Sequence, residues 1–175
     1  MATYVALLRA VNVAGTTVSM RDLRAVFEAM GFGGVRTYVQ SGNVVLDSDL
    51  RSPTRVRAAI EEALRSDLGL AVAAVVRDAA DLRRVLEANP FPDADPRTLY
   101  VTFLAQPARR SLTAADAPAG IPDEFVPARA EIYVHCPGGY GRSKLSNAWF
   151  EKRTGVAATT RNWNTVTKLA ELAGG

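Results

Sequence analysis

The fold of this chain is decided by two predicted strands and their connection, Val35-Arg36-Thr37-Tyr38-Val39-Gln40-Ser41-Gly42-Asn43-Val44-Val45-Leu46-Asp47. Apolar and polar side chains alternate from Val35 to Gln40, which is typical of a strand with one buried face. A second apolar run, Asn43 to Asp47, begins directly after Ser41-Gly42. Because glycine favours a tight connection, with Gly42 or Asn43 at positive φ, the stretch predicts a β-hairpin.

A helix is predicted on each side of this hairpin. Before it, Ser19-Met20-Arg21-Asp22 resembles a capping box, apolar residues follow at helical spacing, and Gly31 ends the helix. After it, Ser52-Pro53 begins a helix whose apolar stripe continues to Leu68, before Gly69. With outer strands at Tyr4–Val11 and Ala71–Arg77, the element order is β-α-β-β-α-β, the split βαβ unit.

The second half of the chain predicts a similar series. A helix at Asp78–Asn89 and the Pro- and Asp-rich segment Phe91–Arg97 come first, as connector and linker. The elements that follow are strands at Leu99–Ala105, Glu124–Ala128 and Glu131–Cys136, a short helix near Ser111–Ala117, a helix at Ser143–Thr154, an extended piece at Ala157–Thr160 and a last helix at Trp163–Leu172.

The predicted fold is therefore α+β, with two tandem ferredoxin-like (α/β plait) units and an extra C-terminal helix. The division along the chain is 1–77 for the first unit, 78–97 for the connecting helix and linker, and 98–175 for the second unit with the last helix.

Composition indicates a globular protein of the cytoplasm. Of the 175 residues, 48% are hydrophobic and 22% charged, and no apolar run approaches the ~18 residues of a membrane span. The N-terminus lacks the pattern of a secretion signal. A single cysteine, Cys136, permits no internal disulfide, which agrees with a reducing compartment. Since His135 is the only histidine, no metal site of the usual soft-ligand kind is expected.

Positive charge is concentrated at the C-terminal end. From Cys136 onward, six Lys and Arg residues stand against two Asp and Glu residues, whereas the whole chain has 21 and 18. A basic segment of this kind is typical of a protein that meets an anionic partner. The alternative is a charged helix face that only contacts solvent, and the sequence leaves both open.

Polar residues cluster at the predicted ends of elements, where functional residues are common. The clusters are Arg9–Thr16 after the first strand, Gln40–Asn43 in the hairpin turn, Gly138–Asn147 before a helix, and Thr159–Thr165 at the start of the last helix.

The last two clusters suggest an anion site. Gly138-Gly139-Tyr140-Gly141 before a helix could present backbone N–H groups to an anion, with Arg142 and Lys144 adding charge, although the spacing fits neither a P-loop nor a dinucleotide motif. Arg161 precedes Asn162, a strong N-cap residue. The structural alternatives are a flexible loop and a helix cap within a buried hydrogen-bond network.

The residues give less support to nucleophilic catalysis and to RNA binding by the sheet. Arg9 lies among apolar strand residues, so if buried it needs an ion-pair partner or a ligand. The adjacent His135 and Cys136 point to opposite faces of a strand and cannot form a catalytic dyad there. An RNA-binding sheet needs aromatic side chains on its central strands, but Tyr100 and Phe103 fall on opposite faces.

Four stretches of the sequence together form a specific pattern: Leu8–Gly15, Val35–Val44, Ser143–Lys152 and Thr159–Thr165. With these motifs the chain resembles the bacterial DUF1697 family of uncharacterised proteins over nearly its whole length. The resemblance implies a fold of two ferredoxin-like units and no established activity. In its first loop the family typically has two glycines and a lysine where this chain has Ala10, Ala14 and Thr16.

The preferred hypothesis is a protein that binds a small anionic ligand in a polar cleft between the two units, with enzymatic turnover left open and the cofactor unknown. The residues expected to line it are Arg9, Asn12, Ser41, Asn43, Lys144, Asn147, Arg161 and Asn164. One alternative is a nucleic-acid-binding protein that uses the basic C-terminal quarter. Another is a structural or interaction module in which the polar clusters only lock the fold. No membrane partner is expected.

Overall fold

The computed structural model describes residues 1–9, 18–39 and 42–174. Within them the fold is α+β, with two four-stranded antiparallel sheets and five α-helices. The chain forms two compact units, one of Met1–Arg83 with Leu169–Gly175 and the other of Arg84–Lys168. The predicted fold class is therefore confirmed at this level, whereas the predicted division at 77 and 97 stays a prediction.

The sheet of the first unit has the strand order β2-β3-β1-β4. The predicted hairpin is confirmed, since β2 and β3 pair antiparallel with Arg36 opposite Val45. Gly42 takes a φ of 74°, while Gln40 and Ser41 of the connection lie outside the described residues. The elements are β1 Ala2–Leu8, α1 Met20–Ala29, β2 Gly33–Thr37, β3 Asn43–Ser48, α2 Pro53–Leu68 and β4 Ala74–Asp78.

Local signals set the helix ends of the first unit. The Ser19 hydroxyl accepts a hydrogen bond from the Asp22 N–H at 3.0 Å, and the Ser52 hydroxyl accepts one from the Arg55 N–H at 3.4 Å. Each bond satisfies an N–H group that has no partner inside the helix. Gly69 ends α2 in the left-handed conformation at a φ of 66°.

One face of the first unit's sheet packs against the two helices, while Val5 and Leu7 of β1 are buried on the other face. The even-numbered side chains of β1, Tyr4, Ala6 and Leu8, are buried against α1 and α2. Phe27 of α1 and Ile60 of α2 are fully buried in the same cluster. Since side chains alternate along a strand, the pattern of β1 places one apolar row on the helix-covered face.

The sheet of the second unit repeats the strand arrangement, with the order β6-β7-β5-β8 and antiparallel pairs throughout. The elements of the rest of the chain are α3 Ala79–Glu87, β5 Leu99–Leu104, β6 Glu124–Pro127, β7 Glu131–His135, α4 Asn147–Thr154, β8 Ala158–Asn162 and α5 Trp163–Gly174.

The predicted helix near Ser111–Ala117 is only a three-residue 3₁₀ turn, Ala114–Asp116. Its end is set by Pro118, because a residue before proline is disfavoured in the helical region. Ala117 accordingly has a ψ of 141°.

The predicted helix at Ser143–Thr154 begins later, at Asn147. Ser146 is the N-cap, and its hydroxyl accepts from the Trp149 N–H at 3.2 Å. The Ser143 hydroxyl instead bonds the Leu145 N–H at 3.0 Å while Ser143 stays extended. The sequence offers two serines as caps, and the second one begins the helix.

Three aromatic rings organise the core of the second unit. Phe150 of α4 is fully buried and meets the rings of Phe125 and Trp149 edge to face, with centroids 5.5 and 5.2 Å apart. Such perpendicular pairs are favourable because the ring edge is positive and the face negative. Leu104, Ile132 and other side chains on this face of the sheet complete the cluster.

Among the described residues, no helix combines the length and apolar character that a membrane crossing needs. The same residues contain no cluster of three or more His, Cys, Asp or Glu side chains placed to hold a metal ion.

Candidate functional site

Arg9 and Asn43, which belong to two of the predicted clusters, lie at one end of the first unit's sheet. The Leu8 N–H donates to the Gly42 carbonyl and the Arg9 N–H to the Ala73 carbonyl, both at 2.9 Å. Arg9 and Asn43 are therefore brought to the same sheet end. Asn12 and Ser41, the other two candidates of this unit, lie outside the described residues.

Asn43 has a structural contact in this region. Its side chain is completely buried and its amide donates to the Tyr38 carbonyl at 3.0 Å, across the hairpin connection. The Tyr38 N–H donates in turn to the Asn43 carbonyl at 3.0 Å. These bonds hold the two strands together where the ladder ends.

A hydrogen-bonded polar cluster lies in the second unit, built from Thr102, Tyr140, Asn147 and Thr160. The Thr160 hydroxyl donates to the Asn147 side-chain oxygen at 2.6 Å. It therefore accepts from the Tyr140 hydroxyl at 3.1 Å and from the Thr102 hydroxyl at 2.7 Å. The Tyr140 ring also stacks on Tyr100, with centroids 5.1 Å apart.

This polar cluster joins two of the predicted functional segments. Thr160 belongs to β8, and Asn147 is the first residue of α4. Every hydroxyl proton in the polar cluster has an acceptor. The described hydrogen bonds are therefore those of a structural network whose donors are satisfied.

Arg161 lies on the opposite face of the sheet from the polar cluster. It pairs with Val101 across β5 and β8, and only 8% of it is exposed. Its Nη1 donates to the Thr159 hydroxyl at 2.7 Å and to the Thr160 carbonyl at 2.9 Å. Burial lowers the pKa of the guanidinium to about 10, so it remains charged at neutral pH.

The remaining two candidates are exposed. Lys144 follows the 3₁₀ turn Tyr140–Arg142, and Asn164 lies in the first turn of α5. The cap of α5 is Asn162, whose side-chain oxygen accepts from the Thr165 N–H at 2.8 Å. The predicted role of Asn162 as a helix cap is therefore confirmed.

The lone cysteine, Cys136, has an unreactive thiol. Cys136 is fully buried, and burial raises the pKa of its thiol to about 11. The nearby Ser143 hydroxyl donates to the Asp123 carboxylate at 2.8 Å. Because the thiolate is the reactive form, this thiol is not a nucleophile at neutral pH.

A basic cavity in the second unit was not predicted from the sequence. It has a volume of about 330 Å³, which falls within the range of small-molecule sites. Its charged lining residues, among those described, are Arg110 and Arg129. The rest of the lining is Leu104, Pro107, Ala108, Ser111, Leu112, Pro127, Ala128, Ile132 and Thr154.

A second cavity of about 340 Å³ shares the wall formed by Arg110, Ser111 and Leu112. Lys152 and Arg153 from the last turn of α4 line it, together with Asp116. The Asp116 carboxylate already accepts from the Thr113 N–H at 2.8 Å. We refer to the two adjoining spaces as the basic cavity.

The backbone and an aromatic ring hold the cations of the basic cavity in place. The N–H groups of Arg109 and Arg110 donate to the Thr154 carbonyl at 2.9 and 3.2 Å, so these backbone groups cap the end of α4. The Arg153 guanidinium lies over the Trp149 ring, 4.8 Å from its centroid.

Gly155 leaves space for the Arg110 side chain because glycine has no Cβ. The residue ends α4 at a φ of 77°, and a Cβ built on it would lie 3.3 Å from Nη2 of Arg110. Gly69, which ends α2 at a φ of 66°, has no atom within 4 Å of such a Cβ. The two glycines share a backbone conformation and differ in their neighbours.

We expect Gly155→Ala to lower the free energy of unfolding more than Gly69→Ala does. Both variants place a side chain in the left-handed region, which costs ~1–2 kcal/mol, but only Gly155→Ala must also displace Arg110. The comparison by denaturant unfolding isolates the second effect. Equal losses in the two variants would show that Arg110 is not held against Gly155.

Sequence signals for the basic cavity are weak. Lys152 and Arg153 belong to the basic C-terminal segment, but Arg110 and Arg129 lie in the part of the chain where acidic and basic residues nearly balance. The pair Arg109-Arg110 between Pro107 and Ser111 is the one local feature that could have drawn attention to it.

Comparisons with known proteins bear on family and fold. A family model described as "Protein of unknown function (DUF1697)" matches residues 1–133. The structure of conserved bacterial protein SP0830 from Streptococcus pneumoniae is similar at 18% sequence identity and a TM-score of 0.72, covering 100% of this chain and 99% of that chain. No curated protein matches this sequence significantly.

Proposed function

We propose that this chain, which belongs to the DUF1697 family of proteins of unknown function, binds a small anionic ligand. The observation that supports this is the basic cavity, into which Arg110, Arg129, Lys152 and Arg153 converge from three segments of the second unit. Among its described lining residues, four cations stand against the single carboxylate of Asp116, and a concave site with an excess of one sign of charge attracts counter-ions.

The arginines suit such a ligand. The Arg110 side chain lies beside Gly155, and Arg153 lies over the Trp149 ring. A guanidinium presents paired N–H donors that match the oxygens of a phosphate or carboxylate. When such a group is held in place before binding, less side-chain freedom is lost on association.

We expect Arg110→Gln to weaken the binding of inorganic phosphate and pyrophosphate, measured by calorimetry at low salt, by about tenfold to a hundredfold. This range corresponds to the loss of a charged hydrogen bond, ~1.5–3 kcal/mol. Arg129→Gln should weaken binding in the same direction, because Arg129 lines the same cavity.

The matched control is Arg55→Gln, which removes an exposed arginine from α2 in the first unit. It should leave anion binding unchanged. If all three variants bound the anions equally well, the proposed site would be wrong.

Nucleic-acid binding is the second candidate function. It is favoured by the exposure of Arg109, Arg110, Arg129, Lys152 and Arg153 in the same unit. An oligonucleotide held by these cations would bind with an affinity that falls steeply with salt. Fluorescence anisotropy with labelled single strands at several salt concentrations tests this candidate, and a lack of binding at low salt removes it.

The predicted lining of Arg9, Asn12, Ser41, Asn43, Lys144, Asn147, Arg161 and Asn164 stays a prediction. If those residues bind the anion, Arg161→Ala and Asn164→Ala should weaken phosphate binding. If they belong to a structural module, the same variants should lower the melting temperature and leave binding as it is.

We further propose that both units are ferredoxin-like. The equivalent strand orders β2-β3-β1-β4 and β6-β7-β5-β8 support this, as does the β-α-β-β-α-β order of the first unit. In the second unit the 3₁₀ turn Ala114–Asp116 stands where the first unit has α1. A cytoplasmic location is also a proposal and rests on the lone cysteine.

A further inference from the structure

We infer that the ligand of the basic cavity is an organic anion with an apolar body, such as an alkyl or aryl phosphate or carboxylate. This inference rests on the proposed anion binding and specifies the chemical class of the ligand. Apart from Arg110 and Arg129, most of the side chains that line the 330 Å³ space are apolar.

The base of the cavity is formed by Leu104 and Ile132, each only 1% exposed, so its accessible apolar surface comes from Leu112 and from the prolines and alanines of its lining. Leu104 is the last residue of β5, and its N–H bonds the Ala130 carbonyl at 2.9 Å. Ile132 of β7 pairs with Pro127 of β6. The cavity thus opens where three strands end, with Leu104 and Ile132 belonging to the core cluster on the same face.

The loop Pro107–Leu112 supplies the opposite wall. Leu112 is partly buried and packs against the core cluster. Arg110, two residues earlier, lines both parts of the basic cavity. A ligand whose anionic group meets Arg110 can therefore place an apolar body against Leu112 in the 330 Å³ space.

Inorganic phosphate would fill only a small part of this cavity. The space of about 330 Å³ corresponds to roughly ten waters at ~30 Å³ each. Inorganic phosphate displaces only a few of them and leaves the apolar wall wet. Since exposed charges attract weakly in water, contact with the apolar wall is needed for firm binding.

The experiment compares two homologous series on the full-length protein. Methyl, butyl and hexyl phosphate form one series, and acetate, pentanoate and heptanoate form the other, with dissociation constants measured by calorimetry. We expect affinity to rise two- to fourfold per added methylene, the upper value corresponding to ~0.8 kcal/mol per buried CH₂. The series with the higher affinity identifies the anionic group.

Two variants separate the contribution of the apolar lining from that of the arginine. Leu112→Asn should flatten the rise in affinity with chain length. Arg110→Gln should weaken the binding of every member of the series by the same factor and leave the rise in affinity with chain length unchanged. Leu70→Asn, which alters a partly buried leucine of the first unit, is the control and should change neither.

The outcomes distinguish this inference from the proposed function. If phosphate and all alkyl phosphates bound with equal affinity, the inference of a ligand with an apolar body would be wrong, while the proposal of anion binding would be supported. If neither series nor phosphate bound the wild-type protein, both ideas would fail. A rise that persists in Leu112→Asn would place the apolar contact elsewhere and overturn the inference.

Discussion

Phe150→Ala is expected to lower the free energy of unfolding of the second unit by ~3–5 kcal/mol. Phe150 is fully buried, and its ring makes perpendicular contacts with Phe125 and Trp149. Truncation leaves a cavity between α4 and the sheet and removes both ring pairs. Since small domains are stable by only ~5–15 kcal/mol, this loss is a large fraction of the total.

The natural probe for this measurement is tryptophan fluorescence during denaturant unfolding, because Trp149 and Trp163 both belong to the second unit. Phe150→Leu should lie between wild type and alanine, since it retains much of the volume. Val126→Ala, at a residue 38% exposed, should change stability by less than ~0.5 kcal/mol. A loss below ~1 kcal/mol for Phe150→Ala would contradict the described core.

Thr160→Val is expected to lower stability by ~2–3 kcal/mol, because it leaves polar groups unsatisfied. The substitution keeps the shape of the side chain and removes the hydroxyl at the centre of the polar cluster. The Thr102 hydroxyl then loses this acceptor, and the Asn147 oxygen loses its shortest donor. The Tyr140 hydroxyl loses the Thr160 oxygen and keeps the longer contact of 3.5 Å to the Asn147 oxygen. Thr102 is fully buried, so water cannot readily replace the lost partner.

A double-mutant cycle tests this explanation. Thr102→Val together with Thr160→Val removes both partners of the 2.7 Å bond, so the double variant should lose less than the sum of the single losses, with a coupling of ~1 kcal/mol. Thr167→Val, which removes only a local bond to the Trp163 carbonyl, should have a smaller effect. Strict additivity in the cycle would count against a shared network.

The same variants distinguish a structural from a functional polar cluster. If the cluster only supports the fold, Thr160→Val lowers stability while phosphate binding by the remaining folded protein is unchanged. If the cluster contacts the ligand, binding weakens as well, and the predicted site around Asn147 gains support over the basic cavity.

Much of the fold was predictable because its signals are local. The hairpin around Gly42, the Ser19 and Ser52 caps and the ends at Gly31 and Gly69 depend on neighbouring residues in the chain. Backbone φ and the first hydrogen bonds of a helix are decided within a few residues. The start of α4 was misplaced because Ser143 and Ser146 are both adequate caps, and the buried contacts of the folded unit favour the second.

The candidate site was predictable only in part. Thr160 and Asn147 come from segments that were both selected, and the structure joins them by a 2.6 Å hydrogen bond. Arg161, however, was expected in a helix start and belongs instead to β8, which continues to Asn162. Because successive strand residues point to opposite faces, this extension separates Arg161 from Asn147.

The sequence by itself determined the elements, their order and the family, since caps, turn glycines and apolar periodicity act over short distances. Only the tertiary structure decided which polar residues meet. Arg110 and Arg129 are distant in sequence and carry no shared motif, yet the ends of β5, β6 and α4 bring them to one cavity. Such a site depends on strand pairing between remote segments, and no local pattern encodes that pairing.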